Sequence, residues 1–245
     1  MKKGLKPQLV VVPDENFAYG IEHGAYPQLD SDVNSGKAVI VSPDNASKKY
    51  GIAIPTENTI YVINPYSGIY INLADKSIER NFVSAKSLQI REVLVMLGAK
   101  SAELTEEISR KKAEEKKGEV SFQKSNVGIG VNASKNEDLS QEITSKITLN
   151  HHDRQAKPAS EIRAFMDSHG LGDDPNLKAW LERYIRDGKM SGSESLEIEY
   201  LEELNSAREI AGNLKILTIE SKLKAANSSK ETHSFKKTLL VDFGE

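Results

Sequence analysis

Over the first third of the chain, short apolar runs alternate with turn-forming residues. Runs at residues 9–12, 38–41, 51–54, 59–63 and 69–73 are punctuated by Pro13-Asp14, Ser42-Pro43-Asp44-Asn45, Pro55, Asn64-Pro65 and Ser67-Gly68. That pattern predicts strands joined by tight turns over residues 8–82. The β-branched and aromatic residues of Tyr61-Val62-Ile63 and Ile69-Tyr70-Ile71 favour a pleated surface. From Ser84 the period changes. Leu88, Ile90, Val93, Leu94 and Leu97 form a broad apolar face at helical spacing, which predicts a buried helix over 84–97 closed by Gly98.

Residues 101–118 are nearly all charged or small and read as a solvated helix or mobile connector. Alternation then returns. Val120 and Phe122 share one face, as do Val127, Ile129, Val131 and Ala133 after a one-residue shift that predicts a bulge near 124–126. Ile143, Ser145, Ile147 and Leu149 alternate with polar residues, and the two runs predict a long hairpin over 119–150. A helix over 160–169 carries Ile162, Phe165 and Met166, and Gly170 and Gly172 break it. Asp174-Pro175 is an N-cap followed by proline at the first helical position. The next helix presents Leu177, Trp180, Leu181, Tyr184 and Ile185 on one side and ends at Gly188. Leu196, Ile198 and Tyr200 alternate as in a strand, whereas Leu204, Ala207 and Ala211 have helical spacing. Finally Leu217, Ile219, Ser221, Leu223 and Ala225, then Phe235, Lys237, Leu239, Val241 and Phe243, alternate with mostly polar residues. They predict a second antiparallel hairpin over 213–243 with one solvated face.

The expected class is therefore α+β: a strand-rich N-terminal part over 1–100 ending in a buried helix, a charged connector over 101–118, and a hairpin–helices–hairpin domain over 119–245. A helical insert between two amphipathic hairpins is similar in layout to pore-forming proteins of the gasdermin and perforin-like kind. No sequence motif carries that similarity, and no family is assigned on it.

Composition narrows the function classes. The chain has 245 residues, enough to bury a core without covalent staples, and 28% of them are charged. A net charge of −3 does not favour a dedicated nucleic-acid binder. With no cysteine, disulfides, thiolate metal sites and cysteine nucleophiles are excluded. The apolar run after the basic start is too short for a signal peptide, and no stretch approaches the ~20 apolar residues of a spanning helix. A soluble cytoplasmic protein is expected, with no cofactor implied.

The densest group of catalytic residue types is His151-His152-Asp153-Arg154. It could supply a histidine base oriented by an aspartate, or a metal-binding pair. Adjacent strand residues point to opposite faces, however, so a polar turn is the stronger reading of His151, His152 and Asp153. Changing both histidines to alanine is expected to leave the protein folded. Ser35-Gly36-Lys37 lacks the upstream glycine and the hydroxyl residue of a phosphate loop, and Gly128-Ile129-Gly130 precedes no helix. The acidic pairs Asp14-Glu15, Asp30 with Asp32, and Asp173-Asp174 sit in turn-like surroundings, where each serves locally as a turn former or cap. Trp180 and Tyr184 suit either the core or a partner interface. Lys222, Lys224, Lys236 and Lys237 could meet phosphate or lipid headgroups, or simply face water.

The leading expectation is a non-catalytic interaction protein, a subunit or regulated effector acting through assembly with a protein partner or with itself. One alternative is a pore-forming-like effector, suited to a defence system, whose hairpins extend on oligomerisation with transient membrane contact. The other is a metal-dependent hydrolase or nuclease with an unrecognised site.

Overall fold

The computed structural model describes residues 6–23, 36–108, 156–214 and 236–244. Seven strands and six helices lie among them, and the fold is α+β. In chain order the elements are β1 (Leu9–Val12), α1 (Glu15–Glu22), β2 (Ala38–Ile40), α2 (Pro43–Tyr50), β3 (Thr59–Asn64), β4 (Ile69–Asn72), α3 (Ile78–Met96), β5 (Ser101–Ile108), α4 (Ala159–Ser168), α5 (Pro175–Asp187), β6 (Ser193–Glu199), α6 (Glu202–Asn213) and β7 (Lys236–Asp242).

The first sheet has the order β2-β1-β3-β4, with β1 parallel to β2 and the other pairs antiparallel. All four residues of β1 are buried, because the sheet is covered on both faces. Leu9 and Val11 face the main core with Val62 and Phe82, while Val10 and Val12 join Ala46, Tyr61 and Tyr70 in a second cluster on the other side. A strand covered on both faces reads as a continuous apolar run, which is what Leu9-Val10-Val11-Val12 is.

Two helices lie where strands and turns were expected. Ser42-Pro43-Asp44-Asn45 is a helix start: Ser42 Oγ accepts from Asn45 N, Pro43 opens the helix, and Gly51 closes α2 in the left-handed region at φ 69°. Asp14 Oδ1 accepts from Phe17 N at 2.9 Å and so caps the start of α1. The same residue types serve turns and caps, and α2 buries only Ala46, too little for an apolar period to show. Residues 51–54 form no strand: Ile52 is buried and Ile54 is exposed.

The second sheet has the order β5-β7-β6 and is antiparallel throughout. Residues 101–108, expected as the start of a solvated connector, form β5. Their charged alternation is that of an outer strand, with Ala102 buried and Glu103 exposed. The register slips between Leu104 and Glu106, which leaves Thr105 as the bulge residue. The strand expected near 235–243 is present as β7, but its pairing differs from the expected hairpin. β5 takes one edge and β6 the other, and residues 217–225, the other half of the expected hairpin, lie outside the described residues. The hairpin expected at 119–150 also lies outside them.

A single buried cluster runs from Leu9 and Val62 through Phe82 and Leu94 to Leu196 and Leu239, taking side chains from both sides of the expected boundary at 101–118. In α3 the buried stripe includes Phe82, Val83, Lys86, Ile90, Val93 and Leu94, whereas Leu88 is 54% exposed. The two-residue step from Leu88 to Ile90 turns the helix by ~200°, so Leu88 belongs to the opposite side. Gly98 takes φ 89°, and the following Ala99 N donates to Leu94 O, closing the helix as expected. In α5, Asp174 Oδ1 accepts from Asn176 N and Leu177 N, and Gly188 ends the helix. Leu177, Trp180 and Leu181 are buried, but Ile185 is half-exposed and leaves the expected face.

Trp180 is 8% exposed, and its ring meets Phe243 edge-on with centroids 5.5 Å apart. Trp180→Ala is expected to destabilise the fold by about 3–5 kcal/mol, as loss of a buried aromatic does. Urea unfolding followed by circular dichroism measures this, and an unchanged midpoint would remove Trp180 from the core.

Candidate functional site

The helical stripe that buries Phe82 and Ile90 must also bury the residue between them, Lys86 at four residues from each. Lys86 is 2% exposed. An ammonium in that position needs acceptors for its three hydrogens and an opposite charge nearby. Three elements supply them. Nζ donates to Glu199 O at the end of β6, lies 3.7 Å from Asp174 Oδ2 at the cap of α5, and lies 3.6 Å from Glu203 Oε1 in the first turn of α6. The Tyr66 ring centroid is 5.3 Å away, within cation–π range.

Each partner is held by local backbone logic. Asp174 is fixed because its other oxygen caps α5. Tyr66 sits at the β3–β4 tip, where Asn64 Oδ1 accepts from Tyr66 N at 3.0 Å and Gln89 Nε2 donates to Tyr66 O at 3.1 Å. Gly170 lets the α4–α5 loop close against this tip. Its φ is +71°, and a Cβ there would stand 2.8 Å from Pro65 Cβ. Arg208 Nη2 donates to Glu79 Oε1 at 2.9 Å, tying α6 to α3 beside the cluster.

Outward from Lys86 opens a cleft of about 240 Å³, lined by Lys86, Asp173, Asp174, Glu202, Glu203 and Ser206 among others. Four carboxylates line the cleft against Lys86 and the Lys178 ammonium, which pairs with Asp173 at 3.0 Å, so the cleft keeps a negative surplus. Tyr66 is buried, and its hydroxyl faces the Glu203 carboxylate without reaching hydrogen-bond geometry. Among the described residues neither Tyr66 Oη nor Glu203 Oε2 meets strict hydrogen-bond geometry, but the two face one another as donor and acceptor. Burial first, then the Glu203, Asp174 and Glu202 carboxylates, push the Tyr66 phenol far above its ordinary range. It therefore stays protonated. Burial likewise pushes Tyr200, behind Lys86, up to about 12.

Among the residues singled out from sequence, Asp173 and Asp174 come together at this cleft, and Asp174 is both cap and ion-pair partner. Trp180 is inside, against Phe243, rather than an exposed anchor. Tyr184 is half-buried and donates from its hydroxyl to Lys157 O at 3.0 Å. Lys237 is 1% exposed, because residues 237, 239 and 241 share the inner face of the central strand. Its ammonium is therefore not presented to a phosphate or a lipid. Lys236 opens β7. His151, His152, Asp153, Lys222 and Lys224 lie outside the described residues. Sequence reading missed Lys86, Tyr66, Glu202 and Glu203. A lysine four residues after Phe82 and four before Ile90 was the available signal for the first of these. Among the described residues, no group of three or more His, Asp or Glu is placed to hold a metal ion, and no helix is long and apolar enough to cross a membrane.

The chain matches no protein-family model, no curated protein and no solved structure.

Lys86→Met is expected to destabilise the protein by about 3–5 kcal/mol, since it strands buried acceptors and two carboxylates. Adding Asp174→Asn and Glu203→Gln should recover part of that loss. Urea midpoints of the single and triple variants test this, and a neutral single variant would show that the cluster does not hold the elements together.

Proposed function

We propose that the protein is a non-catalytic interaction protein that works through assembly, and that the acidic cleft beside Lys86 receives a basic side chain of its protein partner. The charge imbalance in the cleft carries this reading. Lys86 already draws on Asp174 and Glu203, and Lys178 pairs with Asp173 at 3.0 Å, while Glu202 adds a further carboxylate at the rim. A cation entering the cleft gains attraction and charge-assisted hydrogen bonds. An anion would meet a net negative charge.

The rim can be changed without touching the contacts of Lys86. Asp173→Asn combined with Glu202→Gln is expected to weaken binding of a short basic peptide by about tenfold or more at low salt, the scale of one charge-assisted hydrogen bond. Calorimetric titration of wild type and variant measures it. Equal binding by the two proteins would remove the cleft from the reading.

A second reading is favoured by one observation. The register sets Ile108 opposite Lys236, so the chain leaves β5 and enters β7 side by side at the same end of one sheet. With the alternation expected over 119–150 and 217–225, this supports a pore-forming-like effector whose hairpins extend from that end. Dye release from liposomes is then expected at micromolar protein. Intact liposomes under conditions where the protein oligomerises would reject it.

A further inference from the structure

We draw no further inference here: the strongest candidate, the outer edge of the first sheet at β4, where Ile69 is 62% exposed and no further strand pairs among the described residues, carries nothing because nothing in the structure shows what covers it.

Discussion

Burial of one ammonium organises this molecule. Lys86 lies in the apolar stripe of α3, and leaving its hydrogens unpaired there would cost several kcal/mol. Its acceptors come from the end of β6, the cap of α5 and the first turn of α6. Two stretches distant from α3 in sequence, the cap at Asp174 and the β6–α6 junction at 199–203, are thereby brought to one point on one helix. The first sheet sends its β3–β4 tip to the same place, where the Tyr66 ring faces the charge. A buried ion pair is weak evidence for net stability. It is stronger evidence for geometry, because each partner must arrive in a particular orientation. The cleft is a by-product of that demand. Asp174 and Glu203 serve Lys86, Asp173 pairs with Lys178, and Glu202 adds a further carboxylate at the rim.

The two sheets divide the work differently. The first is covered on both faces and is held by apolar packing, with β1 wholly buried. The second presents one face to the core through Leu196, Ile198, Leu239 and Val241, while Ser195, Glu197 and Leu240 on the other face are exposed. Side-chain tethers join it to α5: Arg183 Nη1 meets Glu194 Oε1 at 2.7 Å, and Asn176 Nδ2 donates to Glu197 O at 2.6 Å. The helix that supplies the Asp174 cap is thus also fastened to the strand that supplies the Glu199 carbonyl, so the surroundings of Lys86 are tied together from two directions.

Legibility in the sequence followed the range of the interactions. α5 was readable because its cap, its proline, its apolar stripe and its closing glycine are all local and agree. The run Leu9-Val10-Val11-Val12 was readable as a strand for the same reason. α1 and α2 were not, since Asp14 and Ser42 carry the same chemistry in a turn as at a helix start, and helices this short bury too little to show a period. β5 was mistaken for a connector because an outer strand with one wet face can be almost entirely charged. Pairing was the least legible level: nothing in the alternation of residues 236–242 says that both neighbours come from far upstream. The site stood in between. Lys86 breaks an apolar stripe at helical spacing, which a helical wheel shows, but its partners Asp174, Glu199 and Glu203 are set by packing alone. The apolar face drawn through Leu88 hid the signal by rotating the wheel away from Lys86.

The place of β7 sets an order of events. It is the middle strand of its sheet, yet it follows β5 by just over half the length of the chain and is the last described strand. Until synthesis has passed residue 242, β5 and β6 have no partner between them, and Trp180 lacks the Phe243 ring that covers it. The first sheet, whose strands all lie within residues 9–72, can assemble early on nearby contacts. The second must wait for the most sequence-distant pairing in the fold, which closes late and slowly because a long loop has to be ordered first. During that interval the edges of β5 and β6 that β7 will pair stand open to any strand that arrives, and a nascent or freshly unfolded chain is most exposed to aggregation there.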